Sequence, residues 1–238
     1  MKTILSFLLL SGSLAFGQAF TFSDPAFLAG LSGGTAPNLS VAQYKLNGDV
    51  VDSGPYNYAA TAGGSILYTN GQDTVADHAV FFNSDNISLD ANLMLFDNTT
   101  ISFWFKGPMM DASWVYGEDF TTFPIPMRYI YVHTDGALVL DFLSSGTNYN
   151  TGHVICDTNN WHFVAFVFTA TNVSYYADGG SLTNLGPVVP RNTSAATPTL
   201  AYPYADPERG QFTLDDVRLT NSVLTEVQLD AIYAAGAE

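Results

Sequence analysis

A chain of 238 residues with 22 acidic and 7 basic side chains carries a formal net charge of −15, which argues against a nucleic acid or an anionic membrane recognised through Lys and Arg. Its 47% hydrophobic and 14% aromatic content excludes a disordered chain and suffices for one large domain. The acidity is compatible with a divalent cation, with a neutral polymer such as a glycan, or with solubility alone.

The amino end places Lys2 before an apolar run from Ile4 to Leu10, then small residues at Ala15, Gly17 and Ala19. That is the layout of a secretory signal peptide, and the run is shorter than the roughly 20 residues that span a bilayer. Residues 1–17 are therefore expected to be a signal peptide (cleavage after 19 also fits), 18–40 an N-terminal segment, and 41–238 a single sandwich domain of a secreted or cell-surface protein with no membrane span.

Strand patterns follow. In "ISFWFK", Ile101, Phe103 and Phe105 alternate with Ser102, Trp104 and Lys106. "RYIYVHTDGALVLDFL" reads as two strands around the hairpin turn Asp135-Gly136, and "NVSYYADGGSL" repeats the device at Asp178-Gly179. "WHFVAFVF", residues 161–168, is apolar on both faces, as a central covered strand should be. "GPVVPRNTSAATPTLAYPYADPERG" reads as a long surface loop. "FTLDDVRL" is a strand with a fault: alternation sends Asp215 to one face and Asp216 to the other, each with apolar neighbours. A buried carboxylate needs a cation, a metal or backbone donors. The chain closes on a short helix with Thr225 as N-cap, Gln228 completing a capping box, Leu229, Ile232 and Tyr233 inward, and Gly236 at its end. Cys156 is the only cysteine, so no disulfide forms within the chain, and it is expected to be a buried structural residue. His78, His133, His153 and His162 lie far apart in the sequence, form no His/Cys cluster for zinc, and are each expected to be structural.

Five stretches in order, "YKLNGDVVDSGPYNYAAT", "AVFFNSDNISLD" with "TTISFWFKG", "NNWHFVAFVF", "VSYYADGG" and "GQFTLDDVRLTNSVLTEVQLDAIY", resemble laminin-G-like, concanavalin A-like lectin domains over about residues 41–235. The resemblance implies an all-β fold, a two-sheet antiparallel jelly-roll sandwich with a short C-terminal helix. It also implies that the two ends of the domain lie side by side, where many relatives hold a structural calcium. Asp49, Asp52, Asp215 and Asp216 are the expected ligands. The alternative is an Asp216–Arg218 ion pair, with Asp49 and Asp52 shaping a turn.

Among enzymes that share this fold, laminarinase-type glucanases need paired glutamates on one strand, and the related alginate lyases carry Arg-x-Glu and Gln-x-His strands that this chain lacks. The four glutamates here, Glu118, Glu208, Glu226 and Glu238, show no such pair, and "YGEDF" at 116–120 reads as loop surface. The chain is therefore expected to be non-catalytic, binding carbohydrate or extracellular matrix glycans through its loops. Trp114, Tyr116, Tyr149, Tyr202 and Tyr204 are the candidate contacts, while Trp104 and Trp161 are assigned to packing. The alternative is a structural, self-associating surface subunit acting through protein contacts, and the least favoured reading is a glycoside hydrolase or lyase of the same fold. Sequons at Asn38, Asn86, Asn98, Asn172 and Asn192 would carry glycans in a eukaryotic secretory pathway.

Overall fold

The structure is a computed structural model that describes residues 42–83, 85–90, 97–107, 113–119, 128–142, 146–188, 197–201 and 211–237. The expected signal peptide, the segment 18–40, Asn38, Asn192, Tyr202 and Tyr204 lie outside the described residues.

Fifteen strands appear among the described residues. They are β1 (Ala42–Tyr44), β2 (Ala60–Ala62), β3 (Leu67–Thr69), β4 (Ala79–Asn83), β5 (Ile87–Leu89), β6 (Thr99–Lys106), β7 (Ser113–Asp119) and β8 (Arg128–Val132). After these come β9 (Ala137–Phe142), β10 (Thr147–Val154), β11 (His162–Phe168), β12 (Asn172–Ala177), β13 (Thr183–Pro187), β14 (Thr197–Leu200) and β15 (Gln211–Thr220), then helix α1 (Glu226–Ala235). One sheet has eight strands, in the order β13-β12-β11-β6-β15-β4-β3 with β1 also on β15, and the other has seven, β10-β9-β8-β7-β14-β5-β2. The two antiparallel sheets fit a jelly-roll sandwich. The ends of the domain do meet, since Ala42, Gln43 and Tyr44 pair with Leu219, Arg218 and Val217.

Alternation decides what goes between the sheets. Ile101, Phe103 and Phe105 of β6 meet Ile130 and Val132 of β8 and Leu138, Leu140 and Phe142 of β9 in one core. Truncating one of these buried phenylalanines to alanine costs about 3–5 kcal/mol. The other face of the eight-stranded sheet is covered too, which explains the doubly apolar β11. There Phe163, Ala165 and Val167 join Trp104, Leu224, Leu229 and Ile232 in a second cluster under α1. Trp104 therefore packs beneath the helix, stacked on Tyr233 at 5.6 Å and 23°, not between the sheets. The helix begins as its sequence requires: Gln228 N–H donates to Thr225 Oγ1, and Gln228 Oε1 accepts from Thr225 N–H at 2.9 Å.

Two stretches differ from their sequence reading. "TPTL" of the expected loop is β14, seated between β7 and β5. Pro198 removes one ladder donor and makes the segment look irregular, yet Leu200 reaches the core. "YGEDF" is not loop surface either, because residues 116–119 belong to β7 and Glu118 is fully buried.

Candidate functional site

The acidic pair of "FTLDDVRL" sits where β15 changes partners. Along one edge β15 pairs with β6; along the other it pairs first with β4 through Gln211–Leu214 and then with β1 through Val217–Leu219. Asp215 and Asp216 fall between these two short neighbours. The register to β6 shifts there, from Asp215 opposite Trp104 to Arg218 opposite Ser102, so Asp216 and Val217 share one position. This is a β-bulge, and Asp216 takes the left-handed φ of +43° that Asp tolerates better than most residues. The bulge repairs the faulty alternation. Leu214, Val217 and Leu219 all stay in the core, and the carboxylates leave it.

Each carboxylate then fastens one short neighbour. Asp215 Oδ2 accepts from the backbone N–H of Gln72, in the loop before β4, at 2.9 Å. Glycine is required at position 71 for that approach, since a Cβ there would lie 2.8 Å from Asp215 Oδ2 and 2.9 Å from Asp73 Oδ1. Asp216 Oδ1 accepts from Gln43 Nε2 of β1 at 2.7 Å, and its Oδ2 accepts from Arg218 Nε at 2.8 Å. Asp52 bridges back to Tyr44 and accepts the backbone N–H groups of Gln43, Gly54 and Tyr58 at 2.8, 2.7 and 2.7 Å. Asp49 is exposed and accepts from Val51 N–H at 3.1 Å in a local turn.

This donor set does not fit the calcium site expected of Asp49, Asp52, Asp215 and Asp216. Calcium takes six to eight oxygens. Here Asp52 is filled by three backbone donors, and Asp216 is filled by Gln43 and the Arg218 guanidinium that supplies the positive charge. The ion-pair alternative describes these contacts. Melting temperatures in EDTA and in millimolar calcium are accordingly expected to coincide. A rise with calcium would reinstate the metal and point to Asp215 Oδ1, which is buried with no hydrogen-bond partner among the described residues.

Asp215 is only 1% exposed. Burial pushes its carboxyl up to about 7, with the Gln72 hydrogen bond opposing and the charges of Asp216 and Asp73 adding to the rise. An aspartate in the unfolded chain titrates near ~3.9. Between these values the folded chain keeps a proton that the unfolded chain has released. The group's contribution to stability is thus complete below about pH 4, declines as pH rises, and is lost above about pH 7. A few kcal/mol, in order of magnitude, are involved. Asp215→Asn is expected to flatten this decline and to melt above the parent at pH 8. An unchanged slope of melting temperature against pH would contradict the assignment.

The outer face of the seven-stranded sheet holds a different arrangement. Ile130 and Val132 of β8 enter the core, so Tyr129 and Tyr131 point the other way. Trp114 lies opposite Tyr131 in register, and its ring sits 4.9 Å from both Tyr129 and Tyr131, edge-on to the first and tilted 38° to the second. A register shift between Trp114 and Tyr116 makes Val115 an extra residue. Strict alternation would have put Trp114 and Tyr116 on one face. The bulge instead turns Trp114 outward while Val115 and Tyr116 both enter the core.

Two rows cross the strands on this face. One runs Asn148, Asp141, Tyr129, Gly117, Thr199, and the other Asn150, Val139, Tyr131, Trp114. The first row spans four strand spacings, about 19 Å. Tyr129, Val139 and Thr199 are buried and form a floor; Trp114, Tyr131 and Asp141 are half-buried, and Asn148 and Asn150 are exposed. Burial pushes the Asp141 carboxyl up, and burial together with Asp141 and Asp135 pushes the Tyr131 phenol up. A ring face beside carboxylate and amide groups can stack on an apolar surface while accepting and donating at neighbouring hydroxyls.

Of the aromatic candidates among the described residues, only Trp114 belongs to this face. Tyr116 is 0% exposed and its hydroxyl donates to Glu118 Oε1 at 3.0 Å. Tyr149 packs on the core, donates to the Pro187 carbonyl at 2.8 Å, and fills the space beside Gly186. Both are corrected from binding to packing. Tyr129, Tyr131, Asp141, Asn148 and Asn150 escaped the loop-centred sequence reading, although the alternation in "RYIYV" already put both tyrosines opposite the apolar residues. Asn98 and Asn172 are exposed and Asn86 is half-buried. Cys156 is half-buried, and burial pushes its thiol up to about 11, as suits a structural residue.

Residues 80–230 match the family described as the Concanavalin A-like lectin/glucanases superfamily. No curated protein matches the chain. Among solved structures, the receptor-binding domain of botulinum neurotoxin mosaic serotype C/D aligns with a TM-score of 0.65 at 14% identity, over 83% of this chain and 51% of that one. The botulinum neurotoxin serotype D ligand-binding domain, in complex with N-acetylneuraminic acid, aligns with a TM-score of 0.60 at 12% identity, over 83% and 51%. This chain thus spans about half the length of those neurotoxin chains. Domain 4 of AbnA, a GH43 extracellular arabinanase from Geobacillus stearothermophilus, in complex with arabinotriose, aligns with a TM-score of 0.63 at 23% identity, over 80% of this chain and 96% of that domain. At these identities the structural likeness establishes the fold.

Proposed function

We propose, for a chain that belongs to the concanavalin A-like lectin/glucanases superfamily, that it is a secreted, non-catalytic module binding glycans on the outer face of its seven-stranded sheet. The observation that carries the reading is the Trp114–Tyr129–Tyr131 cluster set beside Asp141, Asn148 and Asn150. Sugars present an apolar ring face and a rim of hydroxyls, and this surface offers the complement of both. The structural neighbours support glycan recognition on this fold, because their complexes hold arabinotriose and N-acetylneuraminic acid. The net charge of −15 favours neutral glycans over acidic ones for this chain. A non-catalytic role accords with the absence of a glutamate pair at glycosidase spacing in the sequence.

Tryptophan fluorescence tests the location. Trp104 and Trp161 belong to the cluster under α1, whereas Trp114 stands on the proposed face. Titration with neutral oligosaccharides, arabinotriose among them, is expected to give a saturable change in the parent and none in Trp114→Ala. An equal change in both proteins would move the binding site elsewhere.

A further inference from the structure

The four histidines are separated in the sequence, but folding brings two of them to one carboxylate. His153 lies on β10 of the seven-stranded sheet, His162 on β11 of the eight-stranded sheet, and Asp178 in the turn that follows β12. Asp178 Oδ2 stands 2.7 Å from His162 Nδ1 and 3.5 Å from His153 Nε2. One ligand atom from each of the three residues lies within 4.8 Å of the others.

Each residue is held there by a separate device. The register between β10 and β9 breaks between Asn150 and Val154, with Gly152 at φ +69°. That irregularity re-aims His153 across the open end of the sandwich towards the other sheet. Asp178 and Gly179 take φ +48° and +75°, the left-handed pair of a tight hairpin turn. Asp178 Oδ1 is fixed by the Phe163 backbone N–H at 2.7 Å, which leaves Oδ2 for the histidines. All three side chains are partly exposed, so an ion can enter from solvent.

We propose that His153, His162 and Asp178 form a binding site for a first-row transition-metal ion of the zinc class, clipping the two sheets together. Two imidazole nitrogens and one carboxylate oxygen are the donor chemistry of zinc and copper rather than of calcium or magnesium. Ligands 2.0–2.1 Å from a tetrahedral zinc stand about 3.3 Å from one another. The 3.5 Å separation already matches, and the 2.7 Å hydrogen bond between His162 and Asp178 opens slightly as the ion replaces its proton. Three protein ligands leave a fourth position for water. Because the ligands come from both sheets, the ion stabilises the sandwich by mass action on the folded state.

The other two histidines supply internal controls. Among the described residues, His78 and His133 each contact a single carboxylate, Asp73 at 2.7 Å and Asp135 at 3.0 Å, with no second histidine beside them. Untagged protein is stripped with chelator, exchanged into metal-free buffer and titrated with zinc by calorimetry, with melting temperature as a second readout. One zinc per chain and a higher melting temperature are expected, with magnesium and calcium giving neither. His153→Ala should weaken zinc binding at least about tenfold, as losing even a supporting group of a metal site does, while His133→Ala leaves it unchanged. His153 is partly exposed and outside both apolar cores, so its variant keeps the test valid if His162→Gln fails to fold. Zinc binding that is absent in the parent, or retained in His153→Ala, would overturn the proposal.

Discussion

Asp216→Ala is expected to lower the melting temperature by roughly 6–20 °C. The partner left behind sets the size of the effect. Arg218 is 6% exposed, and its guanidinium meets Asp216 through Nε at 2.8 Å and Nη2 at 2.5 Å. Removing one member of a buried pair strands the other charge, at about 3–5 kcal/mol, and each kcal/mol moves the midpoint of a domain this size by about 2–4 °C. The substitution also frees Gln43 Nε2 of β1 and asks alanine to hold φ +43° at the bulge. Replacing the pair together, with Asp216→Asn and Arg218→Met, should recover most of the loss because no charge is then buried alone. Thermal melts of the single and double variants decide this. A single variant that melts with the parent, or a double variant that melts no higher than the single, would remove the ion pair from its place in the account.

The second large effect concerns binding. Trp114→Ala is expected to weaken glycan affinity by about 30-fold or more, since a central aromatic contact is commonly worth about 2 kcal/mol or more. Trp114 also packs on Tyr129 and Tyr131, so part of the loss could reflect a rearranged face. Asp141→Asn separates the two causes. It leaves the rings in place and removes only a charged acceptor opposite Tyr129. Weakened binding in both variants, measured by calorimetry with folding checked by circular dichroism, supports the face. Parent-like affinity in Trp114→Ala would exclude it.

Much of the architecture was legible because it is written locally. The period of two in "ISFWFK", the doubly apolar "WHFVAFVF", the Asp178-Gly179 turn and the Thr225–Gln228 capping box each specify structure from neighbouring residues, and each appears as expected. At Asp135-Gly136 a hairpin also forms, but only Gly136 takes a positive φ and the strands stop at Val132 and Ala137. What stayed hidden depends on pairing between distant segments. Nothing within "FTLDDVRL" announces that β15 changes partners between Leu214 and Val217, yet that junction turns two misplaced carboxylates into fasteners for β1 and for the loop before β4. The bulge at Val115 acts in the same way, sending Trp114 and Tyr116 to opposite faces against their spacing. His153 and His162 could be joined only by knowing that the edge of one sheet meets the other near the turn at Asp178. The tyrosines of "RYIYV" are a different case. Their outward direction is readable from alternation with Ile130 and Val132, but a strand face carries no local mark that separates a binding surface from packing.

A glycan array probed with the purified protein tests the central claim most directly. Saturable binding to a restricted set of neutral glycans, reduced in Trp114→Ala and Asp141→Asn, is the predicted result. No binding to any glycan, together with assembly that grows with protein concentration, would contradict the lectin-like reading and favour a structural subunit acting through protein contacts.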